Sequence, residues 1–175
     1  PYMPAGVWDE TSRYGDLRNY KADAGEGLYR RTFYTIWKRT GAPPTMLLFD
    51  APNREVCTLR CDRSNTPLQA LVTLNDPVYI EAAQGLARLL VQRSTAVEDG
   101  IRLGFRQVLA RAPSEAEIRP LATLFRTALA AYTRDPAQAA ALIAQPENPP
   151  PSEVPAPTLA AWTTVANVLL NLDEA

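Results

Sequence analysis

SNTPLQALVTLNDPVYIEAA, residues 64–83, carries two helix starts in close succession. Thr66 offers its hydroxyl as an N-cap, and Pro67 takes the first helical position, where its missing N–H is no loss. Gln69 sits at the third position, from which its side chain can reach back to the cap. The LNDP step then stops one helix and starts the next, with Asp76 as cap and Pro77 behind it. Tyr79, Ala83, Leu86 and Leu90 follow at helical spacing.

Reading outward toward the C-terminus, the same grammar repeats. Ile101, Phe105 and Val108 mark a helix, and APSEAE supplies a second capping box, Ser114 with Glu117. Ile118, Leu121, Phe125, Ala128 and Tyr132 form the apolar face that follows. Asp135-Pro136 opens an alanine-rich helix to about Ala144. QPENPPPSEVPAP (145–157) is too rich in proline for regular helix and predicts an extended surface strap. In TLAAWTTVANVLLNL (158–172), Leu159, Trp162, Ala166 and Leu169 make an apolar stripe. The expectation is a closing helix that packs back onto the others.

Reading toward the N-terminus, the pattern weakens. YRRTFYTIWKRT (29–40) is dense in aromatic and β-branched residues, which favours a strand with Tyr29, Arg31, Phe33, Thr35 and Trp37 on one face. Tyr29, Phe33, Ile36 and Trp37 also fit a helix face. TMLLFD (45–50) and EVCTLRC (55–61) read as short strands joined by a DAPN turn. The expected fold class is therefore mainly α, with a small β or extended element in the N-terminal third. The expected organisation is one domain over 1–175: an extended segment (1–66), a helical core (67–145), the strap (146–157) and the closing helix (158–172).

Composition narrows the chemistry. The chain has 175 residues, 46% hydrophobic and 21% charged, with a net charge of −1. That is enough for a sizeable core and gives no overall field for nucleic acid. Interleaved basic and aromatic residues in SRYGDLRNYK and LYRRTFY resemble single-strand binding surfaces, but the interspersed acids argue against that partner. No apolar run is long enough to span a membrane. The first residues show no signal peptide, and a proline in first place points to a piece of a longer chain. Histidine is absent, which removes Ser-His-Asp and Cys-His catalysis, histidine-based zinc sites and haem ligation by a histidine of this chain.

Cys57 and Cys61 pose a separate question. On a strand their Cα atoms would lie about 13 Å apart, too far for a disulfide. On a helix their Cβ atoms would sit about 5–6 Å apart, still wider than a disulfide's roughly 3.8 Å. Zinc would need carboxylates to complete the ligand set. A thiol beside Arg60 and Arg63 could be activated. The favoured reading is two small, partly buried apolar residues, with a reactive thiol next and metal last.

The segment GEGLYRRTFYTIWKRTGAPPTMLLFDAPNREVCTLRCDRSNTPLQALVTLNDPVYIEAA, with RLGFRQVLARAPSEAEI and AAWTTVANVLLNLDEA, resembles the planctomycete-specific C-terminal domain of unknown function. Members of that family are exported proteins carrying a c-type cytochrome domain. The resemblance implies that this chain is the C-terminal part of an exported, periplasmic polypeptide whose haem lies in an upstream domain, so no cofactor is expected here. Cys57 matches the family pattern and suits a packed position. Cys61 departs from it, standing where an arginine is usual.

Two functions compete. The first is a non-catalytic accessory module that docks onto the upstream domains of its own polypeptide. The second is a carbohydrate-binding or glycan-processing site in the N-terminal third. There Trp37 would stack on a sugar ring, and Arg31, Arg39 and Arg54 would grip sulfated or carboxylated polysaccharide through bidentate contacts. Asp50 would belong to a carboxylate pair for hydrolysis. Asp50 and Arg54 flank the DAPNREVC turn and could form an oriented pair at a pocket rim. The plainer reading of Asp50 is turn chemistry.

Overall fold

The computed structural model describes residues 6, 23, 25–38, 41–52, 57, 59–60, 63–144 and 154–175. The chain divides into two compact units, Pro1–Gln69 and Ala70–Ala175. Among the described residues the helices are α1 (Pro44–Leu48), α2 (Pro67–Asn75), α3 (Pro77–Arg93), α4 (Val97–Leu109), α5 (Glu115–Arg134), α6 (Pro136–Ile143) and α7 (Ala156–Leu170). Short 3-10 turns cover Gly25–Tyr29 and Thr32–Tyr34.

The fold class is mainly α as expected, but the small β element is not seen: no strand occurs among the described residues. In the aromatic run, Tyr34 and Thr35 donate their N–H groups to the carbonyls of Arg31 and Thr32 at 2.9 and 3.0 Å, closing tight turns. Tyr29, Phe33 and Tyr34 are exposed. Strand propensity reflects packing on a half-buried sheet face, and here no such face is present to reward it. TMLLFD is also not a strand. Pro44 starts α1 at a position where its fixed φ favours helix. The end of α1 is a Schellman closure, with Ala51 N–H on the Met46 carbonyl at 3.0 Å and Asp50 N–H on that of Leu47 at 3.2 Å. Most of EVCTLRC lies outside the described residues. Cys57 is described and is a free, exposed thiol, which corrects the expectation of a packed position.

The helix starts follow the sequence closely. Gln69 Oε1 accepts the Thr66 N–H at 2.7 Å while Thr66 Oγ1 accepts the Gln69 N–H at 3.3 Å, completing the box. Asp76 accepts from the Val78 N–H at 2.9 Å, and Asp135 from the Gln138 N–H at 3.1 Å. At Ser114, Glu117 Oε2 accepts both the backbone N–H and the hydroxyl at 2.7 Å. Each cap satisfies donors that a helix start would otherwise leave unpaired.

In the second unit, α7 is the axis. It packs against α3, α4, α5 and α6, and Leu159, Ala160, Ala161, Trp162, Thr163, Val165, Ala166 and Leu169 are all buried. At 100° per residue these positions spread around most of the helix, so α7 is buried well beyond one stripe, with Thr164, Asn167 and Val168 only partly covered. The Thr163 hydroxyl stays satisfied by donating to the Leu159 carbonyl at 2.9 Å. Trp162 stacks at a tilt on Phe125, with ring centroids 4.8 Å apart.

Close approach to α4 requires glycine twice. A Cβ on Gly100 would stand 2.7 Å from Trp162 Cζ2, and one on Gly104 would stand 2.6 Å from Leu169 Cδ1. Gly85 on α3, by contrast, has open space around it. Beyond α7, Arg111 ties the C-terminal segment down. It donates to Glu117 at 2.6 and 3.2 Å and to Glu174 at 2.7 and 3.0 Å, with its guanidinium carbon 5.2 Å from the centre of the Phe105 ring.

Two outcomes are expected. Gly100→Ala should destabilise the chain by about 1–3 kcal/mol, because the rigid indole cannot yield. Gly85→Ala should stabilise it by about 0.5–1 kcal/mol through helix propensity alone. Urea denaturation of both variants checks the pair, and similar midpoints would contradict the tight α4–α7 approach. Arg111, with help from Ser114, holds the Glu117 carboxyl down to about 2, against 4.5 for the free group. A depressed folded pKa gives stability that is complete above the free value and is lost as pH falls toward the folded one. Wild type should therefore lose stability between about pH 5 and pH 2, and Glu117→Gln, which keeps the capping geometry, should lose less.

Candidate functional site: the Asp50–Ser64–Gln69 cluster

Of the residues singled out for ligand binding, Arg39 and Arg54 lie outside the described residues, and with Arg54 goes the expected Asp50–Arg54 pair. Arg31 is exposed just ahead of the Thr32–Tyr34 turn, and Trp37 is half-buried. Asp50 is the residue around which the described part of the first unit organises a polar site.

The backbone comes first. Asp50 has φ +60, the left-handed region. A helix closure of this kind asks for such a conformation and usually takes glycine for it. Aspartate tolerates it better than most residues, at a cost in strain. The conformation directs the Asp50 carboxylate to Ser64. The Ser64 N–H donates to Oδ2 at 2.6 Å, and the hydroxyl lies 2.8 and 2.9 Å from the two carboxylate oxygens. These bonds offset the strain and hold the turn.

Gln69 completes the cluster. Its Oε1 serves the Thr66 cap, while its Nε2 donates to the Leu48 carbonyl at 2.8 Å and to Ser64 Oγ at 3.1 Å. One amide thus fastens the end of α1 and the start of α2 to the Asp50 turn. The sequence marked Gln69 as a capping residue; its second role carried no signal, because Leu48 and Ser64 are brought to it only by the fold.

The chemistry this arrangement permits is limited. The Ser64 backbone N–H, then its hydroxyl, hold the Asp50 carboxyl below the ordinary carboxylate value. An acid so stabilised in its charged form is a weak proton acceptor, so it does little to activate the serine beside it. Ser64 Oγ already receives a hydrogen bond from Gln69, which lowers its nucleophilicity further. The cluster is suited to fixing a turn and presenting a fixed negative charge. Among the described residues no three His, Cys, Asp or Glu side chains gather closely enough to hold a metal ion.

Replacing Asp50 tests the balance of strain and bonding. Asp50→Gly keeps the left-handed turn but frees the Ser64 amide, whose hydrogen exchange should accelerate roughly tenfold. Asp50→Ala loses the bonds and keeps the strain, so it should melt below the glycine variant. Equal melting temperatures would mean that the turn relaxes once the side chain is gone.

No curated protein and no solved structure matches the chain. A family model does: PSD1, described as a protein of unknown function (DUF1553), matches residues 4–125, more than half of the sequence. The chain belongs to the DUF1553 family.

Proposed function

We propose that this chain is a non-catalytic docking module, seated against the upstream domains of one exported planctomycete polypeptide and leaving cytochrome chemistry to those domains. The observation that carries this reading is the inverted helix α2. Its buried residue is the polar Gln69, whereas Leu68, Leu71 and Leu74, three apart along the helix, are 61%, 57% and 40% exposed. A row of leucines on one helical face is a costly thing to leave in water, at about 25 cal/mol for each Å² of apolar surface. It is the pattern by which a helix docks into an apolar groove on a partner. A cluster that fixes Asp50 as an ionised, fully engaged carboxylate fits a module that presents a surface rather than performs a reaction. No helix among the described residues is long and apolar enough to cross a membrane, so this row is not read as part of a span.

A second reading has its own support. Tyr29, Phe33 and Tyr34 are exposed next to Arg30 and Arg31, and Phe33 meets Tyr34 edge to face at 5.3 Å. Exposed rings beside guanidinium groups suit an acidic polysaccharide.

The test uses the upstream polypeptide supplied in trans. Wild-type chain should bind it, and Leu68→Lys/Leu71→Lys should weaken binding at least about 100-fold while circular dichroism and melting stay unchanged. Unaltered binding by that variant would overturn the docking reading. In parallel, salt-sensitive binding to sulfated polysaccharide that is lost in Arg31→Ala/Arg54→Ala would favour the carbohydrate reading instead.

A further inference from the structure

Each helix that lies wholly in the second unit buries apolar side chains. Even α6, only eight residues long, sets Ala139 and Ile143 inside. α2 is the exception. Gln69, its buried residue, falls in the first unit, and none of residues 70–75 is buried. α2 has nine residues. A helix shorter than about 12–15 residues is marginal in water on its own and depends on packing an apolar face. Leu71 and Leu74 are instead 57% and 40% exposed.

The second unit fastens this end of α2 through polar side chains of α7. The Thr73 hydroxyl is hydrogen-bonded to the side-chain amide of Asn171, the C-cap of α7. One turn back, Asn167 Nδ2 donates to the Leu74 carbonyl at 3.4 Å. That carbonyl is among those a helix end leaves without an internal partner. The next helix, α3, begins independently: Asp76, with extended backbone (ψ 136), caps it by accepting from the Val78 N–H. Loss of structure in α2 therefore leaves the start of α3 intact.

We propose that α2 is a conditional docking element: in the free chain its second half melts and reforms while α3 to α7 stay folded, and a partner covering Leu71 and Leu74 locks it as helix. The inference rests on the docking reading above and adds regulation to that surface. Cover on the two leucines supplies the apolar burial that this part of α2 lacks. A segment that orders on binding uses part of the contact energy for that ordering. Asn167 and Asn171 reduce the cost by holding the helix before the partner arrives, so they act as positioning residues for docking.

Native-state amide hydrogen exchange of the full 175-residue chain tests this. The amides of Leu74 and Asn75 should exchange at least about 100-fold faster than those of Phe105 and Val165. Low concentrations of urea should speed the Phe105 and Val165 amides and leave the α2 amides almost unchanged, because local melting exposes little new surface. Thr73→Val/Asn167→Ala removes both moorings and should speed the α2 amides a further tenfold or so, with the core rates unaltered. Exchange of α2 at the core rate with the same urea dependence would overturn the proposal. So would a double variant that leaves α2 unchanged or speeds the core equally. Because this measurement needs no partner, its failure removes the conditional helix alone, and the Leu68/Leu71 variant still decides whether the module docks.

Discussion

The second unit depends on one condition: α7 must be covered by apolar neighbours from four helices at once. Leu159, Leu169 and Val165 are fully buried there, and the small residues Ala160, Ala161 and Ala166 let adjacent helices come close. α4 meets this condition by giving up side chains at Gly100 and Gly104, so that Trp162 and Leu169 lie against its backbone. The ring of Phe125 covers the indole from α5. Close packing of this kind tolerates little change in volume, since added methylenes have nowhere to go. It also explains why the caps of α3, α5 and α6 are so complete: helices arranged around one axis must start at fixed points to present their apolar faces inward.

The first unit is held by a different kind of force. Among its described residues, the end of α1 and the start of α2 are fastened by a polar knot in which Asp50, Ser64 and Gln69 take part. Hydrogen bonds are directional and apolar contacts are not, so such a knot fixes orientation where a small apolar core would fix only proximity. Gln69, which the knot engages, is the buried residue of α2, and Leu68 beside it is exposed. Gln69 and the exposed leucines lie on different faces of the same helix.

Legibility in the sequence followed the range of the forces involved. Caps are local, and Thr66 with Gln69, Asp76, Ser114 with Glu117, and Asp135 were all readable because donor and acceptor lie within three residues. The apolar faces of α3, α4, α5 and α7 were readable for the same reason, although periodicity showed only one stripe of α7. Burial on its other sides depends on four helices arriving from elsewhere in the chain. The strands expected around Tyr29–Trp37 and Thr45–Asp50 failed because strand propensity is conditional on a neighbouring strand. In the second case Pro44 and a left-handed Asp50 already define a short helix. Asp50 was picked out as a turn residue; its bonds to Ser64, fourteen residues away, and the link from Gln69 to Leu48 could not be, since sequence spacing does not encode them.

The position of α7 in the order of the helices bears on how the protein is made. Every other helix of the bundle is synthesised before it, so α3 to α6 must wait with their inward faces uncovered. At about 5–20 residues per second, the interval from the end of α6 to the end of α7 is roughly one to five seconds. During that time the nascent chain offers Ile101, Phe105, Ile118 and Phe125 as sticky surface. The bundle can close only once α7 has arrived, so a chain cut short before Ala156 would leave this surface uncovered.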